Sequence, residues 1–319
     1  MTDGFRRYLR AKRTVDDRAL DRRTFRAFRE ATADRAAAAD GPLSVLEVGA
    51  GIGTMIARLV EWDALPAGEI RYTAVDVDAE TLAGVEPYLR EWAADRAVSI
   101  AATPEERIEL RRPDGTIELE AVAADAAAHA AAHPGEYDVL VGSALLDLLD
   151  LDAVDALLGA LAAGGLYYFP ITFDGATRFR PSHPADGVVE ERYHAHMDAK
   201  PGGSSRAGGD VLDHLRATPG VAVSSVGGSD WVVRPVEGEY PADEAYFLRH
   251  VLDTVESAVG EVLAAAEDAE DAEDADAAAL EGWLADRRER LAAGELLYLT
   301  HQLDLLGRVE RPAAGGREG

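Results

Sequence analysis

Residues 45–54 read VLEVGAGIGT, a short apolar strand that runs into glycines at alternate positions, Gly49, Gly51 and Gly53. In an open, mostly parallel α/β sheet, the loop after the first strand comes closest to a ligand held at the carboxyl edge of the strands. Glycine is needed there because a Cβ atom would collide with the ligand or forbid the turn. The stretch therefore predicts a strand that ends in a binding loop.

Downstream of this loop, apolar runs alternate with alanine- and leucine-rich segments of helical spacing, which predicts a doubly wound α/β fold with a mostly parallel sheet. Strands are predicted at 44–48, 71–75, 119–124, 138–142 and 166–172. Residues 108–122 predict a hairpin beside the third strand, because two alternating runs flank Pro-Asp-Gly. Residues 221–236 predict two further strands joined by a Gly-Gly-Ser turn.

The pattern divides the chain into four parts. Residues 1–41 predict a helical arm; residues 1–30 carry ten basic and five acidic side chains, which favours a solvated helix over a cap on an anionic ligand. Residues 42–236 form the α/β domain, with a long irregular, lid-like insert at 174–209. Residues 237–310 predict a wholly helical region, with its last helices around 283–291 and 296–306 and an acidic low-complexity stretch at 264–279. Residues 311–319 predict a disordered tail.

Composition narrows the function classes. The 319 residues include no cysteine, which excludes disulfides, thiolate metal sites and a cysteine nucleophile. A net charge of −27 argues against nucleic acid as a partner. However, the chain contains only two lysines, a composition typical of halophilic prokaryotes. In molar salt the Debye length is about 3 Å, so charges are strongly screened. The net charge therefore indicates adaptation to a salty solvent more than the choice of a partner. Without a leader or a membrane-spanning apolar tract, the chain is predicted to be cytoplasmic.

The glycines do not match the dinucleotide-binding pattern G-x-G-x-x-G, whose third glycine would fall at Thr54. LEVGAGIG instead resembles the first motif of the class I S-adenosylmethionine-dependent methyltransferases, including Glu47 two residues before the first glycine. The resemblance covers about residues 42–236 and identifies no subfamily. It implies a Rossmann-like, doubly wound, mostly parallel seven-stranded sheet with an antiparallel last strand, here with an N-terminal helical arm and a C-terminal helical addition. It also implies that the glycine loop wraps the methionine part of S-adenosylmethionine.

The resemblance implies further cofactor contacts where the next strands end. TAVDVD places Asp76 at the family's ribose-binding acid with Val77 beside it, and capping of the next helix is the alternative for Asp76. VAADAAAH places Asp125 and Ala126 near the adenine, with helix capping again the rival for Asp125. YDVLVGSALLDLL resembles the fourth motif, and it nominates Gly142 and Ser143 beside the transferring methyl group.

Methyl transfer from a sulfonium mainly requires alignment and exclusion of water, and a base helps only if the acceptor loses a proton. His194 and His196 are the predicted catalytic residues; Tyr193, His183, Asp198 and Arg206 lie nearby in the sequence. In an extended chain His194, His196 and Asp198 would share one side, so a divalent metal is an alternative, although no metal is assigned. Tyr298, His301 and Gln302, on the predicted last helix, are either packing residues or part of an acceptor pocket.

The sequence therefore predicts a methyltransferase that uses S-adenosylmethionine on an oxygen or nitrogen of a small molecule. The Asn/Asp-Pro-Pro-Tyr signature of many amino-group methyltransferases is replaced by GSALLD at 142–147, which disfavours adenine and glutamine amide acceptors. A non-catalytic S-adenosylmethionine-binding interaction subunit is one alternative. An RNA methyltransferase that uses the basic arm is another. The acceptor and the oligomeric state stay open.

Overall fold

A mixed β-sheet organises the part of the chain that the computed structural model describes, residues 2–103, 107–265 and 270–310. Within these residues the sheet has ten strands, in the spatial order β3-β4-β5-β2-β1-β6-β7-β10-β8, and β9 pairs with β10 off this path. The strands are β1 (Leu43–Val48), β2 (Gly68–Asp76), β3 (Ser99–Ala102), β4 (Ile108–Arg112), β5 (Gly115–Ala123), β6 (Tyr137–Gly142), β7 (Leu161–Arg180), β8 (Val221–Gly228), β9 (Val232–Val233) and β10 (Leu297–Val309).

The centre of the sheet is parallel, and β5, β2, β1, β6 and β7 pair with one another in that order. β10 is antiparallel to both of its neighbours, β7 and β8. The predicted doubly wound, mostly parallel fold with an antiparallel last strand is therefore confirmed. The predicted hairpin at 108–122 is also confirmed, since β4 and β5 pair antiparallel. β3, β4 and the short β9 extend the sheet beyond the seven strands predicted.

Helices cover both faces of the sheet. They are α1 (Thr2–Ala19), α2 (Arg22–Ala37), α3 (Thr54–Glu61), α4 (Ala79–Leu82), α5 (Val85–Ala93), α6 (Ala126–Ala132), α7 (Leu151–Gly159), α8 (Asp186–Ala199), α9 (Ala207–Ala217), α10 (Glu244–Ala265) and α11 (Glu270–Ala293). β1 is an almost unbroken apolar run because it is central and buried on both faces; Val45, Leu46 and Val48 have no exposed surface. No helix in the described part of the chain combines the length and apolarity needed to cross a bilayer.

The helix predicted at 296–306 is wrong, because Leu297–Val309 forms strand β10. Partly exposed and buried residues alternate from Leu297 to Asp304, the period of a strand. Pairing with β7 and β8, both far away in the sequence, decides the conformation. The two strands predicted within 221–236 are present as β8 and β9, but they do not pair with each other, since each pairs with β10. Part of the acidic stretch, 266–269, and the whole tail at 311–319 lie outside the described residues.

Regular secondary structure replaces the irregular insert expected at 174–209. β7 continues to Arg180, α8 covers Asp186–Ala199, and α9 begins at Ala207. α8 packs against both α10 and β7. The Gly and Pro residues that suggested an irregular loop lie mostly at the ends of these elements, where helices and strands commonly begin and end.

The N-terminal arm is helical as predicted, but the expectation that it is solvated is wrong. α1 packs against α10, and its Val15 is buried. Arg58 of α3, which is fully buried, donates to the Asp17 carboxylate of α1 at 2.5 Å. Basic residues of α1 form ion pairs with acids elsewhere in the fold: Arg7 with Asp243, Arg10 with Glu91, Arg13 with Glu61 and Arg18 with Glu244. The basic residues of α1 thus attach the N-terminal arm to the α/β domain.

Candidate functional site

The loop after β1 is built from backbone conformations that favour glycine. Gly49, Gly51 and Gly53 have φ angles of +67°, +55° and +82°. The N–H of Ala50 donates to the Val75 carbonyl at 3.0 Å, which ties the loop to the end of β2. The loop ends where α3 begins at Thr54. The predicted glycine turn therefore lies at the carboxyl edge of the central strands.

Asp76, at the end of β2, connects this loop to the next one. Its Oδ2 accepts from the Gly51 N–H at 2.9 Å, and its Oδ1 accepts from the Asp78 N–H at 3.0 Å. Each carboxylate oxygen keeps a second lone pair for a hydroxyl donor. Asp78 caps α4, so the capping alternative for Asp76 is wrong. Val77 projects beside this carboxylate with 78% of its surface exposed.

Glu47 lies inside the sheet, beneath the glycine loop. Its side chain is buried, and the Tyr72 hydroxyl donates to its Oε2 at 2.5 Å. Burial raises the pKa of Glu47 to about 7, although the Tyr72 hydrogen bond and the nearby Arg58 charge oppose that shift. Glu47 therefore links β1 to β2, and its carboxyl group bonds to Tyr72 within the sheet.

Glu47→Gln is expected to remove a pH-dependent part of the stability. The folded-state pKa of about 7 lies above the usual unfolded value, so the folded protein holds a proton that the unfolded chain releases. This contribution is fully present below the unfolded pKa and is lost as the pH rises through 7; it is on the order of 3 kcal/mol. Urea unfolding at a series of pH values checks it. Identical pH slopes for wild type and Glu47→Gln would contradict this account.

Asp125 caps the helix after β5. Its Oδ1 accepts from the Ala128 N–H at 2.8 Å, which is the capping role weighed against adenine binding. Ala126 is the first residue of α6, and the neighbouring Ala124 donates its N–H to the Asp76 carbonyl at 3.0 Å. This loop therefore lies beside Asp76. The adenine contact of Asp125 and Ala126 stays a prediction.

Two leucines pack on the glycine loop. A Cβ atom added at Gly51 would lie 3.0 Å from Leu9 Cδ1 of α1, and one added at Gly49 would lie 3.0 Å from Leu145 Cδ1. Leu145 follows the predicted Ser143 in the turn after β6. The loop thus has no room for larger side chains, and α1 covers it.

A cavity of about 430 Å³ lies between α8, α10 and the turn after β6. α8 contributes Tyr193, His196 and Met197, which share one helix face at i, i+3 and i+4, and Lys200 follows the last turn of the helix. Asp147, in the short 3-10 turn Leu146–Leu148, forms part of the opposite wall. The cavity therefore lies at the carboxyl end of β6, close in the chain to Gly142 and Ser143.

The two predicted catalytic histidines point in different directions. Residues two apart on a helix are separated by about 200° around its axis, so the extended-chain interpretation of His194, His196 and Asp198 is wrong. His194 Nε2 bonds to Thr177 Oγ1 at 3.0 Å, whereas His196 Nε2 bonds to Glu261 Oε2 at 2.9 Å and lines the cavity. Asp198 accepts from Ser205. No cluster of three or more metal-ligating side chains occurs among the described residues.

The other sequence candidates are mostly structural. His183 Nδ1 accepts from the Ala185 N–H at 3.2 Å, next to the start of α8. His301 bonds to Asp230 at 2.8 Å, and Tyr298 and Gln302 are buried in β10 rather than on a helix. Arg206 precedes α9 and makes no side-chain cap. Tyr193 is therefore the one member of this wider group that lines the cavity in the described part of the chain.

Sequence reasoning missed Asp147, Tyr8 and His250. The Tyr8 ring lies 4.1 Å from that of His250, which lines the cavity. Burial raises the pKa of Asp147, and burial together with the Asp147 charge raises that of Tyr193 to about 12. An acid five residues after β6 was the available signal for Asp147. Tyr8 offered none, because the α1 fold-back that places it there is not encoded locally.

Comparisons with known proteins give a weak likeness to methyltransferase structures. Haemonchus contortus phosphoethanolamine N-methyltransferase 2 is 14% identical, with a TM-score of 0.38 over 89% of this chain, which spans about half (53%) of that enzyme. A Geobacter sulfurreducens S-adenosylmethionine-dependent methyltransferase is 14% identical, with a TM-score of 0.40 over 92% of both chains. The plantazolicin methyltransferase BpumL is 12% identical, with a TM-score of 0.39 over 95% of this chain and 90% of that one.

These values are too low to establish a shared family or activity. No protein-family model matches the chain, and no curated protein matches it in sequence.

Proposed function

We propose that this chain is an S-adenosylmethionine-dependent methyltransferase that acts on a small molecule held in the cavity between α8, α10 and the turn after β6. One observation carries the proposal: the Asp76 carboxylate, at the end of β2, accepts from the N–H of Gly51 in a left-handed glycine loop at the end of β1. In an open α/β sheet this edge is where ligands bind.

The residues of the carboxyl edge fit S-adenosylmethionine. The glycine loop offers backbone without side chains to the methionine part, and Asp76 keeps lone pairs for the two ribose hydroxyls. The exposed Val77 side chain offers an apolar surface to the adenine, with Asp125 and Ala126 on the adjoining loop. When bound, the cofactor would supply a methyl group on a sulfonium. Leu9 and Leu145 must shift to admit it, because both pack on the glycines.

The cavity supports the choice of a small-molecule acceptor. Helices α8 and α10 shield it, and exclusion of water favours methyl transfer over side reactions. In the proposed mechanism His196 donates its Nε2–H to Glu261, which leaves the Nδ1 lone pair to accept a proton from the acceptor. His194 is proposed as a structural residue, because its ring bonds to Thr177 and packs edge-on against Phe173.

His196→Ala is expected to lower turnover about 100-fold, the lower range for loss of a general base. The assay measures S-adenosylhomocysteine formation with a panel of small amines and alcohols. His194→Ala is the matched control on the same helix, and its turnover should stay within about threefold of wild type. Intact turnover in His196→Ala would remove the histidine from the mechanism and leave the methyltransferase assignment in place.

The alternatives receive less support. An RNA methyltransferase would use the basic arm, but Arg7, Arg10, Arg13 and Arg18 of that arm already pair with acids of the fold. A silent interaction subunit does not account for the cavity beside the cofactor edge, which brings Asp147, Tyr193 and His196 together. Cytoplasmic location and adaptation to high salt stay predictions from composition.

A further inference from the structure

We infer that the methyl acceptor is a small amine, bound as an ammonium ion by the carboxylate of Asp147 and the ring of Tyr193. The inference rests on the proposed function and names the substrate class of the same site. It assigns to Asp147 the role of choosing the acceptor.

Asp147 is the acid of this cavity wall that forms no ion pair with any described residue; the charge of Lys200, the lysine of the same wall, acts on Glu261. Among the described residues, only its own backbone amide donates to its carboxylate. The other acids of the cavity wall are paired: Glu261 bonds to His196 at 2.9 Å, and Asp253 bonds to Arg288 at 3.0 Å. Lys12, whose charge reaches Asp147, is buried and already held by Asp16 at 2.7 Å. A cation is therefore the ligand that completes this wall.

Aromatic residues form part of the same cavity wall: Tyr193 and His250 line it. The Tyr8 ring packs behind them, 5.6 Å from Phe247 and 4.1 Å from His250, and the Asp147 charge acts on the hydroxyls of both Tyr8 and Tyr193. In the described part of the chain, neither hydroxyl forms a hydrogen bond. Burial lowers the pKa of His250, so its ring is neutral and does not compete as the cation.

These features select a cationic ligand over other acceptors. Aromatic faces attract an ammonium group through cation–π interactions, and a carboxylate attracts it through charge. A neutral or anionic acceptor would leave the Asp147 charge desolvated without a partner, which is costly.

The chemistry balances for an amine. The ammonium group gives one proton to His196 Nδ1, and the freed nitrogen lone pair forms the new N–C bond. The C–S bond of the sulfonium breaks at the same time, and its electron pair stays on sulfur as the neutral thioether. The methylated product leaves the transfer as an ammonium cation, which the same wall binds, and the proton held by His196 passes to solvent.

The test compares two probes of matched shape, tert-butylammonium and tert-butanol, by ligand-observed NMR, with and without S-adenosylhomocysteine. We expect wild type to bind the ammonium probe about tenfold more tightly than the alcohol. In Asp147→Asn the preference should fall to within about twofold, with unchanged affinity for S-adenosylhomocysteine. Asp152→Asn removes an equal charge from an exposed site on α7 and should keep the preference.

A second variant covers the case in which Asp147→Asn does not fold. Tyr193→Leu removes one aromatic face and should weaken ammonium binding about threefold. Equal binding of the two probes to wild type, no binding of either, or a preference that survives in Asp147→Asn would overturn the amine assignment. If S-adenosylhomocysteine still binds in those cases, the proposed methyltransferase function stands; if it does not bind to folded wild type, both proposals fall.

Discussion

Gly51→Val should weaken the binding of S-adenosylhomocysteine at least about 100-fold, equivalent to about 2.7 kcal/mol. Gly51 has a φ of +55°, a conformation that a β-branched residue adopts only under strain. The new side chain would also meet Leu9, whose Cδ1 lies 3.0 Å from the added Cβ. The loop must move to relieve the backbone strain and the contact with Leu9, and this movement breaks the hydrogen bond from the Gly51 N–H to Asp76. Two of the proposed cofactor contacts are therefore lost together.

Calorimetry measures this loss, and Gly282→Val is the matched control. Gly282 lies on the exposed face of α11, where an added Cβ meets nothing within 4 Å. The control should bind as wild type does. Unchanged affinity in a folded Gly51→Val protein would mean that the glycine loop does not touch the ligand.

Asp304→Ala should destabilise the protein by about 3–5 kcal/mol, because three buried hydrogen-bond donors lose their acceptor, at about 1–3 kcal/mol each. Asp304 has no exposed surface and lies on β10. Its carboxylate accepts from the N–H groups of Asp21 at 3.0 Å and Ile171 at 2.9 Å, and from the Tyr168 hydroxyl at 3.2 Å. Alanine leaves these donors buried without an acceptor, and their desolvation is the source of the loss.

Thermal unfolding should register this change as a fall in Tm of about 4–8 °C. Asp213→Ala, on the exposed face of α9, is the control and should shift Tm by little, because its pair with Arg216 is exposed. A small effect of Asp304→Ala would mean that the link between β10, β7 and the start of α2 contributes little to stability.

The sequence was sufficient for the first strand and its loop because both are decided locally. Residues 45–48 are a run of three apolar residues and one buried acid, Glu47, at the centre of the sheet, and the glycines that follow adopt positive φ without the strain of a Cβ atom. The acids at the ends of β2 and β5 followed from the same alternation of strands and helices. Their hydrogen bonds did not, because Asp76 accepts from Gly51 across a gap of 25 residues.

β10 could not be predicted in the same way. Its leucines at positions 297, 299, 303, 305 and 306 suit a helix face or a strand face about equally. Pairing with β7 and β8 settled the choice, and both partners lie more than 60 residues away. The sequence did not predict helix α8, because the Gly and Pro residues near its two ends are typical of a loop.

The residues that line the cavity could not be predicted from local sequence either. Asp147, Tyr193 and His250 come from three separate segments, and none of these segments indicates a site by itself. They converge because α8 packs against α10, and α1 packs on α10 as well. The cofactor edge was predictable from a motif, whereas the acceptor side depended on long-range packing.

The most direct test of the central claim is calorimetric titration of the folded wild-type chain in high salt with S-adenosylhomocysteine, and separately with NAD. The account predicts saturable binding of S-adenosylhomocysteine at a single class of site and no binding of NAD. Failure to bind S-adenosylhomocysteine, or tighter binding of NAD, would contradict it, because the loop at VLEVGAGIGT would then serve another nucleotide or none.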